Sequence, residues 1–463
     1  MEFRSALSHL GIILEIFGIL LIIPLLASVA LGESINFLFI IAAAVSFVAG
    51  TLLDKKLQKK PLDSPSIMAL ALLGFVSVSM IGAVPYLSSA SLLNALFESV
   101  SGFTTTGLTA LDPETLPAGL LFWRSFTQWI GAAGIIIAFI MLVESPGISS
   151  NYLYGDETSE EDRQPLIRKA LLAFGAYTLL GIALLSIAGM PLLDSVAHSF
   201  SGISTGGFST RQDSISSFNS AGIEIAMIVL MVLGATSFFL HAKIFRGNFR
   251  CYPRNFETKA FWIFVMVFSM LMAASMGPAP LSAVFTAISA LTTSGFSAAP
   301  PLAGSGIILV VILTIIGGFS ASSAGGLKLV RAGAMGKAFP WIARKLSYPK
   351  EAVIPLKIGE RSVKPQEFTI ITLFIFMYML VLVVSTAILS FTGMGAMDSF
   401  FLSASAAGNS AFSPLAVESI HWVGKATLMV VMVVGRLEIL PLFVFVRHLF
   451  QARKRGGGDE EGE

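Results

Sequence analysis

Runs of about 20 consecutive apolar residues, each long enough as a helix to cross roughly 30 Å of hydrocarbon, recur along the whole chain. They lie near 9–31, 35–53, 66–86, 119–143, 166–189, 221–245, 258–276, 303–330, 367–391 and 422–447. Only 13% of the 463 residues are charged, against about 25% in a soluble domain, so the chain cannot wet a globular surface. The first run lacks a small-residue cleavage site and a second follows closely, so it reads as a retained helix and not a signal peptide. The expectation is an all-α polytopic membrane protein with ten transmembrane helices, multi-pass in the cell (plasma) membrane.

Lysine and arginine set the orientation, because they concentrate in cytoplasmic loops. Lys55, Lys56, Lys59 and Lys60 follow the second run, and Lys243, Arg246, Arg250, Arg254 and Lys259 follow the sixth. Nine more, from Lys328 to Lys364, follow the eighth, and Arg447, Arg453, Lys454 and Arg455 follow the tenth. The alternate loops carry Glu98, Asp112, Glu114, Asp194, Asp213, Asp398 and Glu418 against a single Arg211. Ten spans with both termini cytoplasmic satisfy every loop. The acidic end 459–463 reads as a disordered tail.

Between alternate pairs of spans lie half-apolar stretches near 91–104, 192–204, 281–293 and 397–409, each too short to cross. They form an internal repeat. Ser101-Gly-Phe-Thr-Thr-Thr-Gly107, Ser201-Gly-Ile-Ser-Thr-Gly-Gly207, Ser289-Ala-Leu-Thr-Thr-Ser-Gly295 and Ser405-Ala-Ala-Gly-Asn-Ser-Ala411 align without gaps. Each has one span before it and one after, running the same way. The chain therefore divides into an N-terminal helix pair, 1–60, and four parallel helix–pore-loop–helix repeats around one central pore: 61–150, 151–250, 251–350 and 351–463.

Backbone without helix is tolerated at membrane depth only where protein buries it or where it lines a watery cavity. A short helix entering from outside points its C-terminal end inward, and that end carries about half a negative charge. The polar loop that follows can turn its carbonyls to one side, and rings of such carbonyls replace the hydration shell of a potassium ion. The bland alternative is that Gly, Ser and Thr merely let helices approach closely; four copies on one side favour the ion-binding reading. The candidate ion-binding residues are Thr105, Thr106, Gly107, Thr205, Gly206, Gly207, Thr293, Ser294, Gly295, Asn409, Ser410 and Ala411, with potassium as substrate and no covalently bound cofactor. No acidic ring accompanies them, which disfavours a divalent ion.

The eighth run is interrupted by Gly317, Gly318, Ser320, Ser322, Ser323, Gly325 and Gly326. Each glycine costs a helix about 1 kcal/mol relative to alanine. The stretch is either a kinked, close-packed helix or a loop hanging in the path as a gate. It is the one span read as clearly broken. Arg436 lies inside the last run, where a charge marks a functional site by default; it either pairs with Glu438, snorkels, or faces the path. Lys328 either snorkels or joins the gate. Arg124 reads as structural and His241 as interfacial.

One cysteine, Cys251, excludes an internal disulfide and a multi-cysteine metal site. With no nucleophile–base pair and no phosphate-binding loop, neither an enzyme nor an ATP-driven pump is expected, and no nucleic-acid partner. The membrane potential suffices as a driving force. It supplies about 2.3 kcal/mol per charge at 100 mV, roughly a 50-fold accumulation at about 1.36 kcal/mol per decade.

In these loops, and in Phe122–Gly131, Ser237–Ala242 with Gly247-Asn248, Gly317–Gly326 with Lys328, and Gly435-Arg-Leu-Glu438, the chain resembles the Trk/Ktr/HKT superfamily of potassium transporters, specifically the Trk-type membrane subunit. The resemblance implies potassium uptake through a four-loop selectivity filter, an intramembrane gate at 317–326, and an electrostatic barrier at Arg436. It also implies a homodimer in membrane lipid and a cytoplasmic nucleotide-binding regulatory subunit, for which the basic segment 328–364 is the expected docking surface. One departure stands out: Ala411 occupies the position where the family's fourth loop has glycine. A left-handed backbone there would cost an alanine about 1–2 kcal/mol. The alternatives are therefore a weakly selective potassium/sodium conductor or a cation-coupled symporter.

Overall fold

A computed structural model describes residues 3–57, 60, 62–144, 163–276, 280–298, 304–349, 354–359 and 361–438. Seven helical stretches in it are long and apolar enough to cross a membrane: Ser5–Ala30, Phe37–Lys55, Pro65–Ser88, Ala118–Ala138, Arg168–Ile187, Phe256–Ser275 and Pro365–Phe391. A bent pair, Ala221–Ala235 with Phe238–Phe245, makes eight when counted as one span. Two of the ten expected spans fall short of that test. Ser305–Ile316 has 12 residues, about 18 Å of helix at 1.5 Å per residue, because the glycine-rich stretch ends it. Trp422–Leu437 has 16, and the remainder of that expected span lies outside the described residues.

The sequence marks its own helix ends. The helix α1 (Phe3–Leu20) continues, after Leu21, into α2 (Ile22–Ala30), and the chain returns as α3 (Phe37–Lys56). Asn36 Oδ1 caps α3 by accepting from Leu38 N at 3.1 Å. Asp63 does the same for α4 (Ser64–Gly82), accepting from Ser66 N at 3.1 Å ahead of Pro65. α1 and α3 cross where Gly11 meets Gly50; a β-carbon on Gly11 would stand 2.7 Å from Gly50 O, so small residues bring the two backbones together. The pair is tied onward by Glu33, whose carboxylate accepts from Ala118 N (2.5 Å) and Gly119 N (2.8 Å) at the start of α6 (Ala118–Glu144), where the helix dipole favours an anion. The outer face of α3 shows Phe37, Ile40, Val45 and Val48 exposed, which suits lipid.

Four helices of equal length, 12 residues each, lie between the longer ones: α5 (Leu92–Phe103), α8 (Leu192–Ile203), α13 (Pro280–Leu291) and α17 (Ala396–Ala407). α7 (Arg163–Ile187) precedes α8, α12 (Phe256–Met276) precedes α13, and α16 (Pro365–Phe391) precedes α17. All four are largely buried, and all their serines but the half-buried Ser282 sit inside the protein. α5 is held by Trp123, which packs edge-on against Phe103 and Phe39 and donates from Nε1 to Gly82 O at 3.1 Å.

Two broken spans complete one another. α9 (Ala221–Ala235) turns by 100° into α10 (Phe238–Phe245), which a short turn, α11 (Cys251–Arg254), joins to α12. α14 (Ser305–Ile316) runs into residues 317–328, then α15 (Leu329–Ser347). The carbonyls freed at the first break accept from the second: Phe319 N to Ala235 O (3.2 Å) and Ser323 N to Gly234 O (3.3 Å), while Phe238 N donates to Ala321 O (2.8 Å). Buried backbone groups need partners, and each break supplies the other's. The expectation of a single broken span is corrected here: Thr236-Ser237 carries no glycine, so nothing in composition signalled the second.

The all-α expectation meets one small exception. Strands β1 (Leu356–Ile358) and β2 (Arg361–Val363) form an antiparallel hairpin with Leu356 opposite Val363. Their apolar side chains cluster with Ala334 of α15 and Ile371 of α16.

Candidate cation pathway

Each of the four short helices ends the same way. The residue after the cap has left-handed backbone: Thr105 (φ 52°), Thr205 (51°), Thr293 (56°) and Asn409 (50°). The next residue folds back onto the last turn, with Thr106 N to Ser101 O, Gly206 N to Ser201 O, Ser294 N to Ser289 O and Ser410 N to Ser405 O, all at 2.8–2.9 Å. This is the helix-ending motif usually built on glycine. Asparagine is a known occupant of that position, but the three threonines each cost about 1–2 kcal/mol, and a β-branched residue with positive φ is an outlier. The same left-handed turn at four equivalent positions, strained at the three threonines, points to function.

One residue further on, the chain turns left-handed again at Gly107 (81°), Gly207 (79°) and Gly295 (78°). Ala411 does not follow: it is absent from the positive-φ residues. The expectation that alanine there would bear left-handed strain is thus corrected; the fourth loop adopts a different backbone. Its methyl carbon sits among the three glycines, since a β-carbon placed on Gly107, Gly207 or Gly295 would collide with Ala411.

These contacts close a ring in chain order. A β-carbon on Gly107 would strike the Gly206 carbonyl, and one on Gly207 the Ser294 carbonyl. Gly295 abuts the Ala411 backbone, and Asn409 Nδ2 donates to Thr106 Oγ1 at 3.0 Å. First meets second, second third, third fourth, and fourth first.

On one side of this ring a cavity of about 950 Å³ is lined by Gly107, Gly207, Gly295 and Ala411 and by Asp112, Asp213, Glu224, Asp398 and Glu418. Its two arginines are matched by acids. Arg124 Nε bonds Glu98 at 2.6 Å, both buried, and its other nitrogens donate to Ser209 O (2.9 Å) and Thr109 Oγ1 (3.1 Å). Arg211 pairs with Asp194 at 3.3 Å. Arg124 thus ties the rims of the first two loops together, a structural role in keeping with its sequence reading, and the surplus acid favours cations.

The glycine-rich segment covers the other side of the ring. Gly325 N donates to Thr293 Oγ1 (2.7 Å), Thr205 Oγ1 to Ser323 Oγ (3.3 Å), and Ser323 Oγ to Gly234 O (2.7 Å) and Ile203 O (3.2 Å). A β-carbon on Gly325 would collide with Gly408 O. The segment's own turns use Gly317 (φ 74°), Ala321 (54°), Gly326 (75°) and Lys328 (77°). Gly318 O accepts from Leu329 N at 2.9 Å, and Ser322 Oγ donates to Phe319 O at 2.7 Å. Ser320 N donates to the buried Glu257 carboxylate at 2.7 Å. Lys328 is buried and its Nζ donates to Ala324 O, so it does not snorkel.

Arg436 is buried beside this segment and donates from Nη1 to Ser323 O at 2.6 Å. Its Nε and Nη2 have no hydrogen-bond partner among the described residues. The suggested pairing with Glu438 is corrected: Glu438 bonds Arg331 of α15 at 2.7 Å. Buried Arg331 and Glu257 were missed in the sequence, where one sits in a run of basic residues and the other at a predicted interface. Gln128 was missed too. Its Nε2 donates to Gly206 O at 2.7 Å, so that carbonyl already has a protein partner. The lone amide inside an apolar run was the available signal. His241 is buried, bonded to Tyr177 OH and Leu233 O, each at 2.9 Å, and takes no part in the ring.

Apolar spanning helices around a ring of strained polar loops, with an acidic cavity on one side, define a multi-pass membrane protein that handles cations. Comparison with known proteins places it further. The TrkH family model, described as cation transport protein, matches residues 33–454, and the chain belongs to that family. It is 30% identical to an uncharacterized cation transporter of Methanocaldococcus jannaschii, over 97% of this chain and 96% of that one. It is 29% identical to the Trk system potassium uptake protein TrkH of Escherichia coli K12, over 97% and 99% of the two chains. The crystal structure of the potassium transporter TrkH from Vibrio parahaemolyticus matches with a TM-score of 0.86 at 26% identity, covering 96% of this chain and 98% of that one. These relatives are transporters, not enzymes.

Proposed function

We propose that this chain takes up potassium ions across the cell membrane, passing them from the acidic cavity through the ring of four loops. The observation that carries this reading is the left-handed Thr105, Thr205, Thr293 and Asn409, one per loop, closed into a ring by neighbouring contacts. Such a ring presents backbone and hydroxyl oxygens from four sides, the ligand set that strips a monovalent cation of water. The names of the relatives support potassium as the ion.

In this reading the ion-binding residues are Thr105–Gly107, Thr205–Gly207, Thr293–Gly295 and Asn409–Ala411. The gate is the segment Gly317–Gly326 with Lys328 and Arg436. Ten spans, both termini cytoplasmic, form the N-terminal pair (1–60) and four repeats (61–150, 151–250, 251–350, 351–463). A homodimer and a cytoplasmic nucleotide-binding regulatory subunit complete the proposal; the Trk system named in the relatives supports a multicomponent assembly.

A second reading, weak potassium/sodium discrimination, is favoured by the different backbone of the fourth loop at Ala411. Growth of a bacterial strain lacking its own potassium uptake systems tests both. Rescue at low potassium that excess sodium does not inhibit supports selective uptake. Rescue abolished by sodium supports the second reading, and no rescue by protein present in the membrane contradicts both.

A further inference from the structure

We infer that Gln128 is a positioning residue for the second loop, supplying from a neighbouring helix the brace that this loop's own sequence lacks. The inference rests on the transport reading above and assigns a role to a residue outside the four loops.

The loops are braced unequally. In the first, the helix-cap hydroxyl of Thr104 bonds that of Thr106 at 2.8 Å; in the third, Thr292 and Ser294 make the same bond at 2.9 Å. The second loop has Ser204 and Gly206 at these positions, and Ser204 Oγ is buried without a partner among the described residues. Gln128 of α6, itself fully buried, fills the gap. Its Nε2 donates to Gly206 O at 2.7 Å and its Oε1 accepts from Phe208 N at 3.3 Å, straddling Gly207. The three atoms nearest to a β-carbon built on Gly206 all belong to the Gln128 amide, so the amide occupies the space a side chain would take. The fourth loop repeats the logic. Gly408 removes the other half of the hydroxyl pair, leaving Ser410 Oγ unpartnered, and an amide again steps in: Asn409 Nδ2 bonds Thr106 Oγ1 (3.0 Å) and Met432 O (2.9 Å).

This account predicts a reciprocal rescue. Gly206 lies outside the left-handed region, so serine fits its backbone, and the nearest obstacle to its β-carbon is the Gln128 amide. Fluxes of labelled rubidium and labelled sodium into proteoliposomes give the selectivity ratio, with monodispersity in detergent checked for each variant. Gln128→Ala should lower the ratio about tenfold, as expected when buried polar groups lose their partner. Gln128→Met, which keeps the volume, should lower it equally. Gly206→Ser alone should lower it by collision. The double variant Gln128→Ala with Gly206→Ser should recover to within about threefold of the parent, because Ser204 then has a hydroxyl partner. A monodisperse Gln128→Met with the parental ratio overturns the brace, as does a double variant no better than Gln128→Ala. A parent protein that passes neither ion overturns the transport reading, and the brace with it.

Discussion

Arg436 and Ser323 are joined by a 2.6 Å hydrogen bond from a guanidinium to a main-chain carbonyl. That bond makes the buried charge and the glycine-rich segment one unit lying against the ring. A fixed charge 4 Å from a cation costs about 4 kcal/mol at an effective dielectric near 20, and about 1.4 kcal/mol is already tenfold in rate. Arg436→Ala should therefore raise cation flux in liposomes about tenfold or more. Since Glu438 has Arg331 as its partner, no carboxylate is stranded; only Ser323 O loses a donor, so the midpoint of thermal unfolding in detergent should fall far less than in a variant that strands Glu438. Unchanged flux would remove Arg436 from the barrier role.

Arg331→Ala should behave in the opposite way. It leaves Glu438 without its ion-pair partner, at a cost of about 3 kcal/mol. Thermal unfolding in detergent should fall sharply and be partly restored by adding Glu438→Gln. A stable Arg331→Ala protein would show that the pair contributes little.

Shortening the segment between Gly318 and Gly325 should raise flux and lower stability together. The path loses its cover, while Gly234 O, Ala235 O and Phe238 N lose their partners from the segment, at about 1–3 kcal/mol for each group left buried and unsatisfied. Flux at background in a folded protein would assign the segment to the scaffold alone.

Ala411→Gly should preserve or raise flux. Removing the methyl that stands among Gly107, Gly207 and Gly295 widens the ring and relieves no backbone strain, because Ala411 is not left-handed. The potassium-to-sodium ratio should rise as the fourth loop gains access to the backbone of the other three. Loss of transport would show that the fourth loop depends on its alanine.

Much of this was legible in the sequence. The repeat Ser-x-x-x-x-x-Gly, with Ala411 in place of the last glycine, located all four loops, because a helix that must stop at membrane depth needs polar, turn-forming residues at fixed offsets. Glycines 317, 318, 325 and 326 marked the broken helix for the same reason. What stayed hidden was pairing. Arg436 and Glu438 are two apart and invited an intrahelical pair, yet residues i and i+2 do not face each other on a helix, and Glu438 instead reaches Arg331, 107 positions away. The α9–α10 bend was equally hidden, since its freed carbonyls are satisfied by the distant glycine-rich segment.

The central claim is that the ring of Thr105, Thr205, Thr293 and Asn409, with its glycines, passes potassium selectively. Its most direct test is flux into proteoliposomes under an inside-negative potential, comparing the parent protein with Gly207→Asp. Gly207 is left-handed at 79° and faces the Ser294 carbonyl, so aspartate must displace the ring. The account predicts potassium accumulation approaching about 50-fold at 100 mV in the parent, far above sodium, and loss of that preference in the variant. Equal potassium preference in a well-folded Gly207→Asp protein would contradict it.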